Sequence, residues 1–337
     1  MSQHRAGQAI MGHAMPNSKG SNASGKNRCG MWSRSRIITH GYTGGGYKSN
    51  SPWKNVNRTT HNNDTSTNLG DIMSKNAAYV DGGSSDTHFY VFGMDDAFSG
   101  NNNDVWRMQM STESGTSMDN TMGSDKEDLG VFIDYHHGGG NLYTMGGLNN
   151  TVDRFAMNNH ARTAANSSAN GGHYTASCQG QFRGWTSIDS AKEYYVFATN
   201  TWNTWSGTVP GTDGWGKANS SYLGNFYMKN QGNCGQPICK HNDTTGAQIS
   251  VYNVDNSGEE NYQQGTYKGY CLGHYDGNQN NQSYKMSYTS DTYAMSSVAE
   301  PGGHEGMSSA GMGLSLIHIS EPTRPERISY AVFCLKK

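Results

Sequence analysis

The chain has little charge and no long hydrophobic run. Its 25 Lys and Arg residues nearly balance 27 Asp and Glu residues, which leaves a formal net charge of −2, and only 15% of the residues are charged. Nucleic acids are bound by clustered Lys and Arg, so this balance argues against a nucleic-acid partner. No apolar window of about eighteen residues occurs, and residues 1–5 (MSQHR) do not begin a hydrophobic signal core. We therefore expect neither membrane insertion nor a conventional secretion signal.

Cysteine is also sparse. Of the six cysteines, Cys334 lies in a C-terminal stretch that we exclude below, and the other five are odd in number and scattered, so they predict no disulfide framework. Cys234, Cys239 and His241 form the tightest group of candidate metal ligands. Structural zinc requires four ligands, and a second pair at matching spacing is missing. We predict no metal site and no cofactor.

Turn-forming and aromatic residues are abundant. The chain contains 44 glycines and 20 tyrosines, and its aromatic content is 11%. A disordered chain would combine few aromatics with a high net charge, so packed β-structure is expected instead. Glycine and asparagine clusters such as residues 138–140 (GGG) and 101–103 (NNN) favour tight turns between short strands. No convincing amphipathic helix is found.

A three-part signature recurs at intervals of about fifty residues. Its clearest part is a Tyr-x-x-Gly element, which is followed by an aromatic-x-Met element such as residues 106–108 (WRM) and, in the fourth repeat, residues 226–228 (FYM). An aliphatic-Asp pair such as residues 80–81 (VD) precedes it. The tyrosines are Tyr42, Tyr90, Tyr143 and Tyr270, with Tyr195 as a degenerate copy.

Each repeat predicts a small antiparallel sheet, because its elements alternate in hydrophobicity and are bounded by turn residues. Radial assembly of such sheets gives a propeller. We predict a repeat-built all-β domain over residues 37–313, a propeller with about five blades and the start of another at residues 298–313; the sequence leaves open whether the ring is complete at its C-terminus. A β-solenoid or an irregular meander is the alternative. Residues 1–36 are polar and predict a flexible arm.

One repeat resembles the kelch family. Residues 89–93 (FYVFG) and 103–108 (NDVWRM) follow that family's order of strand, glycine, loop and aromatic strand. The resemblance implies a kelch-like β-propeller. Kelch repeats usually carry a glycine pair, which only residues 44–46 and 146–147 retain.

The C-terminal residues resemble a translated sequencing-library adapter. Residues 314–324 read LSLIHISEPTR, and residues 328–337 read ISYAVFCLKK. Their separation matches an adapter, an index and a primer sequence. We interpret residues 314–337 as a non-native tail on a metagenomic reading frame, and we expect that the natural protein continues differently.

The repeat region also resembles virion structural proteins of marine T-even-like cyanophages. The resemblance rests on residues 45–49 (GGYKS), 51–59 (SPWKNVNRT), 67–71 (TNLGD) and 301–313 (PGGHEGMSSAGMG). It implies a virion protein associated with the tail, baseplate or fibre. The implied partners are other virion proteins or a host-surface glycan, and a homo-oligomer stays open.

No catalytic motif accompanies this signature. Asp81, Asp134, Asp189 and Asp255 recur at one repeat position, which indicates a structural turn more simply than acid–base catalysis. A nucleophile elbow and a phosphate-binding loop are both missing from the sequence. We therefore expect a non-enzymatic protein. A carbohydrate-binding or carbohydrate-active propeller is the alternative.

One stretch departs from the repeat. The fourth repeat has about twenty surplus residues, from Asn200 to Asn219, which carry Trp202, Trp205 and Trp215. Loops on rigid scaffolds often carry recognition, and indole faces stack on sugars. We hypothesise that these tryptophans bind a glycan or a neighbouring virion subunit. The alternative is that they fold back onto the blade.

Overall fold

The structure is a computed structural model, and it describes 18 stretches of the chain. Within these stretches the chain forms strands and turns, and no helix there is long and apolar enough to cross a membrane. The described residues are 39–48, 51–77, 80–94, 103–118, 121–126, 129–134, 140–146, 149–170, 175–180, 182–188, 191–206, 220–222, 224–228, 238–252, 261–265, 267–275, 279–296 and 309–313.

Six four-stranded antiparallel sheets form a six-bladed β-propeller, which confirms the predicted all-β propeller fold. Each sheet is one blade, and we number the blades along the chain. Blade 1 contains β1 (His40–Gly44), β4 (Val56–Thr60), β5 (Thr65–Gly70) and β26 (Ser309–Gly313); a small hairpin, β2 (Tyr47–Lys48) and β3 (Ser51–Pro52), lies between β1 and β4.

The other five blades are simple meanders, in which the four strands follow one another from the axis to the rim. Blade 2 is β6 (Asp81–Ser84), β7 (His88–Met94), β8 (Asp104–Gln109) and β9 (Ser114–Ser117); blade 3 is β10 (Leu129–Asp134), β11 (Asn141–Gly146), β12 (Val152–Ala156) and β13 (Arg162–Ala165); blade 4 is β14 (Thr175–Gln179), β15 (Arg183–Ile188), β16 (Ala191–Val196) and β17 (Thr201–Thr204); blade 5 is β18 (Ser220–Tyr222), β19 (Asn225–Met228), β20 (Ile238–Asn242) and β21 (Gln248–Tyr252); blade 6 is β22 (Asn261–Gln264), β23 (Lys268–Tyr275), β24 (Gln279–Ser287) and β25 (Thr292–Met295).

Both ends of the described chain meet in blade 1. Strand β26 is the first, innermost strand of that sheet and pairs antiparallel with β1, from His40 opposite Gly313 to Gly44 opposite Ser309. The sequence predicts that residues 298–313 lead into a further blade, and it leaves closure of the ring open. In the structure β26 completes the sheet that contains β1, so the ring of six blades is closed.

The sixth blade was hidden in the sequence because its aromatic residues were assigned to the wrong repeat. Tyr195 lies on β16, the third strand of blade 4, and Trp185 on β15 holds the place that tyrosine has in other blades. Phe226 and Tyr227, assigned to the fourth repeat, lie on β19, the second strand of blade 5. The apparent surplus after Asn200 therefore includes the rim strand β17 and the passage to a separate blade.

The hydrophobic core lies between blades rather than within one central layer. In blade 2 every residue of β7 from Phe89 to Met94 is buried, whereas every residue of the rim strand β9 is exposed. This gradient arises because neighbouring blades cover both faces of the inner strands. Five residues of blades 2 and 3 illustrate one such layer: Tyr90, Phe92, Val105, Leu129 and Phe155.

Polar side chains link the inner strands around the axis. The Asp81 carboxylate accepts the backbone N–H of Val131 in the next blade at 2.8 Å, and the Ser177 hydroxyl donates to the Val131 carbonyl at 2.8 Å. Asp81 therefore connects two blades, whereas the sequence predicted a turn. Gln179 of blade 4 donates its amide to Gln264 of blade 6 at 2.9 Å, which joins two blades that are not neighbours.

Candidate functional site

A set of three positions, which we call the interblade triad, repeats in all six blades. It comprises an aromatic residue on the second strand, the residue paired with it on the third strand, and a residue with positive φ in the hairpin between the third and fourth strands of the next blade. The six triads are Tyr42, Arg58 and Glu113; Tyr90, Arg107 and His160; Tyr143, Arg154 and Asn200; Trp185, Tyr194 and Gly246; Tyr227, Lys240 and Asp291; and Tyr270, Lys285 and Asp64.

In three triads the hairpin residue is Asp or Glu. Its carboxylate accepts a hydrogen bond from the tyrosine hydroxyl and pairs with the Arg or Lys of the triad. Glu113 accepts a hydrogen bond from Arg58 at 2.6 Å and one from the Tyr42 hydroxyl at 3.4 Å. Asp291 binds Lys240 at 2.9 Å and accepts the Tyr227 hydroxyl at 3.4 Å. These ion pairs neutralise cations of one blade with the hairpin of the next, so they fix the angle between blades.

Asp64 has the largest set of partners and joins blade 6 to blade 1. Its carboxylate binds Lys285 at 2.7 Å and also contacts Lys268 and the Tyr270 hydroxyl. Burial alone would raise the pKa of Asp64, but the hydrogen bonds from the two lysines and the tyrosine outweigh it and hold the pKa well below its usual range. Asp64 is therefore ionised at neutral pH and stabilises the point of ring closure.

The triad between blades 2 and 3 uses histidine instead of a carboxylate. The Tyr90 hydroxyl lies 2.9 Å from Nδ1 of His160. Burial, followed by the nearby charge of Arg107 and then His88, lowers the pKa of His160 to about 4. His160 is thus neutral at pH 7, and its Nδ1 can accept a hydrogen bond from the Tyr90 hydroxyl.

The triad between blades 4 and 5 is different in all three positions. Trp185 replaces the tyrosine, Tyr194 replaces the cation, and Gly246 with φ of 72° replaces the longer side chain. The Trp185 indole donates to the Asp243 carboxylate at 2.7 Å. A Cβ on Gly246 would lie 3.0 Å from both Trp185 and Trp205, so the two indoles occupy the space that a side chain takes elsewhere.

The cations of this interface lie two residues upstream of the altered positions. Arg183 precedes Trp185 by two residues, and Lys192 precedes Tyr194 by two, so each pair shares one face of its strand. The Arg183 guanidinium lies 4.7 Å from the centroid of the Tyr194 ring, and the Lys192 ammonium lies 5.9 Å from that of Trp205. Neither cation forms an ion pair with a carboxylate among the described residues.

A polar cleft of about 400 Å³ opens beside Arg183, between blades 4 and 5. Arg183 and Tyr194 form one side of it, and Trp205 contributes an indole edge. Hydroxyl-bearing residues supply the rest of the lining: Thr204, Ser206, Thr244 and Thr245.

The structure places two of the three tryptophans that sequence reasoning singled out. Trp202 is part of β17, packs 5.0 Å from the Tyr195 ring and donates its indole N–H to the Asn166 carbonyl at 2.7 Å. Trp205 is only 8% exposed and donates to the Thr186 carbonyl at 3.2 Å. Both fold back between blades, and only Trp205 borders the cleft. Trp215 lies outside the described residues, and ligand binding by the three stays a prediction.

Cys239 and His241 also belong to the interface between blades 4 and 5. Burial raises the pKa of the Cys239 thiol to about 11 and lowers the pKa of His241 to about 4. The His241 ring stacks on Phe226, with centroids 4.8 Å apart. Cys234 lies outside the described residues, and no three potential ligands form a group that could hold a metal ion in the part of the chain that the structure describes.

Two hairpins with the same sequence pattern lie on one face of the propeller. Residues 179–184 (QGQFRG) and 264–269 (QGTYKG) connect the first and second strands of blades 4 and 6, and Gln181 and Thr266 lie outside the described residues. In each, the glycine N–H donates to the carbonyl three residues later, at 2.7 Å from Gly180 and 2.8 Å from Gly265. We call the pair the twin hairpins. Sequence reasoning missed them, although the repeated pattern could have identified them.

The twin hairpins expose two aromatic rings. Phe182 is 57% exposed and Tyr267 is 47% exposed. Blades 1 and 2 have Thr39 and Thr87 at the same position, three residues before the triad aromatic. Blade 5 separates the two hairpins in the ring, and the bond from Gln179 to Gln264 ties their bases together.

These features define a candidate binding face over blades 4 to 6. It combines the exposed rings of the twin hairpins with the cleft that Arg183 borders. The chain matches no protein-family model and no curated protein, so the case for a function rests on this geometry and on the sequence patterns.

Proposed function

We propose that this propeller is a non-enzymatic structural protein of a phage particle, associated with the tail, baseplate or fibre. Its role is to present a rigid β surface for contacts with other virion proteins or for attachment to the host. The phage assignment rests on the sequence resemblance to cyanophage virion proteins. The binding role rests on the twin hairpins.

The observation that carries the binding role is the exposure of Phe182 and Tyr267 on one face. Most large apolar side chains of the described chain are covered by neighbouring blades, so exposed aromatic rings on one face stand out as candidate contact points. Aromatic rings are favoured at such sites because they supply a large contact area with few rotatable bonds.

The rigidity of the scaffold supports the same role. Each carboxylate triad fixes one blade to the next, and the ring is closed through β26. The twin hairpins are therefore held at a fixed separation before binding. A preorganised surface loses less conformational entropy on association.

The binding role can be tested with labelled protein and cyanobacterial cells. We expect the double variant Phe182→Ser, Tyr267→Ser to lose binding to host cells or to purified tail proteins. The matched control is Ile249→Ser, Val251→Ser, which removes two exposed apolar side chains from the rim strand β21. Equal binding by both double variants and the wild type would refute a role for the twin hairpins.

The particle assignment needs a separate test. We expect the gene to lie beside genes for capsid, tail-sheath or baseplate proteins on its original contig. A neighbourhood of cellular metabolic genes without virion genes would overturn it.

A carbohydrate-binding or carbohydrate-active propeller is the second candidate, and the cleft between blades 4 and 5 favours it. Its hydroxyl-rich lining suits a polyol better than an apolar ligand. Release of reducing sugar from polysaccharides would indicate an enzyme, whereas binding without release would indicate a lectin-like role.

A further inference from the structure

We propose that the cleft between blades 4 and 5 binds the carboxylate of an acidic saccharide, with Arg183 as the residue that pairs with it. The inference deepens the host-attachment part of the proposed function and rests on it for biological meaning. The experiment below measures ligand binding alone. The assignment to a phage particle can therefore be wrong while the binding proposal holds, and the two failures are distinguishable.

The first argument is charge. Where Arg58, Lys240 or Lys285 reaches the next blade, a carboxylate of that blade neutralises it. The hairpin of blade 5 offers Gly246 instead, and its Asp243 carboxylate accepts the indole N–H of Trp185. Arg107 and Arg154 likewise face His160 and Asn200 rather than a carboxylate. Unlike these two arginines, Arg183 borders the cleft, where an external anion can reach it.

The second argument is preorganisation. Arg183 is half-buried, with its guanidinium over the rings of Tyr194 at 4.7 Å and Trp185 at 5.7 Å, and one of its amino groups donates to the Thr244 carbonyl. A guanidinium carries five N–H donors in a fixed plane. The donors that remain can form the paired hydrogen bonds that a planar carboxylate accepts.

The third argument is the lining, which favours a saccharide over an acidic peptide. Thr204, Ser206 and Thr244 bring hydroxyl groups to the cleft, and none of these hydroxyls has a protein partner among the described residues. Hydroxyl groups can both donate to and accept from sugar hydroxyls. A volume of about 400 Å³ lies at the lower end of the range for small-molecule sites, which suits one or two sugar rings.

Titration calorimetry on the full chain tests this inference with four probes: trigalacturonate, neutral maltotriose, triglutamate and sulfate. We expect saturable binding of trigalacturonate and much weaker binding of the other three. The variant Arg183→Gln should weaken trigalacturonate binding roughly tenfold or more, because a charge-assisted pair is lost. Arg154→Gln removes the same charge from blade 3 and should leave the affinity unchanged.

Three results would refute the proposal. If triglutamate or sulfate binds as tightly as trigalacturonate, or if both arginine variants bind like the wild type, the acidic-saccharide site is refuted. Should Arg183→Gln unfold, the exposed Ser206→Trp would fill the mouth of the cleft and should abolish binding without changing the melting temperature. Retained binding in that variant would also overturn the proposal.

Discussion

Asp64 provides the sharpest test of how the ring is held closed. The substitution Asp64→Asn keeps a residue that tolerates the φ of 54° found there, while it removes the charge that Lys268, Lys285 and Tyr270 share. Its effect on stability therefore reports on electrostatics and not on backbone strain.

The size of the effect follows from the contacts. Hydrogen bonds to charged groups contribute about 1.5–3 kcal/mol each in partly buried sites, and exposed ion pairs contribute less than about 1 kcal/mol. The Asp64 side chain is 18% exposed and the two lysines are 26% and 33% exposed, so the site lies between these limits. We expect Asp64→Asn to lower the free energy of unfolding by about 2–3 kcal/mol, or the melting temperature by about 4–8 °C.

The pH dependence of the stability difference between wild type and Asp64→Asn distinguishes an electrostatic cause from a change in packing. The folded-state pKa of Asp64 lies below the unfolded value of about 3.9, so the stabilisation is fully present above about pH 5 and is lost as the pH falls toward the folded pKa. Urea unfolding followed by tryptophan fluorescence should show a constant difference between wild type and variant from pH 6 to 8. That difference should shrink below about pH 4. Equal stability at pH 7, or a difference that persists in acid, would refute the reasoning.

Three other substitutions probe the interfaces between blades. Gly246→Ala should destabilise the fold by about 1–3 kcal/mol more than Gly224→Ala in urea unfolding, because both have positive φ but only Gly246 faces two indoles at 3.0 Å. Trp205→Ala should cost about 3–5 kcal/mol, whereas Phe182→Ala at an exposed tip should change stability by less than about 0.5 kcal/mol. The pKa of His160 is lowered to about 4, so its share of stability is present above about pH 6.5 and is lost as the pH falls toward 4. His160→Gln should accordingly flatten the loss of melting temperature between pH 6.5 and 4.

Repeats with an intact tyrosine signature were predictable from the sequence. Tyr90 and Tyr143 lie on the second strands of their blades as expected. Blades 4 and 5 were not recognised as two separate blades. Trp185 replaces the tyrosine of the signature in blade 4, and Phe226 and Tyr227 of blade 5 match the aromatic-x-Met element instead of the Tyr-x-x-Gly element. Aromatic identity alone could not assign these residues, since second and third strands both bury aromatic rings.

A better signal was present in the spacing of polar residues. The left-handed hairpin residue always stands six positions after the third-strand triad residue, as in Arg58 and Asp64 (64 − 58 = 6) or Lys240 and Gly246 (246 − 240 = 6). This spacing marks all six blades. The partners themselves could not be read from the sequence, because each triad joins residues of different blades.

The pairing of β26 with β1 has a consequence for synthesis of the chain. While residues 309–313 are still inside the ribosome, the open edge of β1 has no strand beside it. A nascent chain at that stage can accept the equivalent strand from a second copy, which would give a swapped dimer. Slow translation of the segment that ends with β26 would therefore favour exchange of this strand between chains.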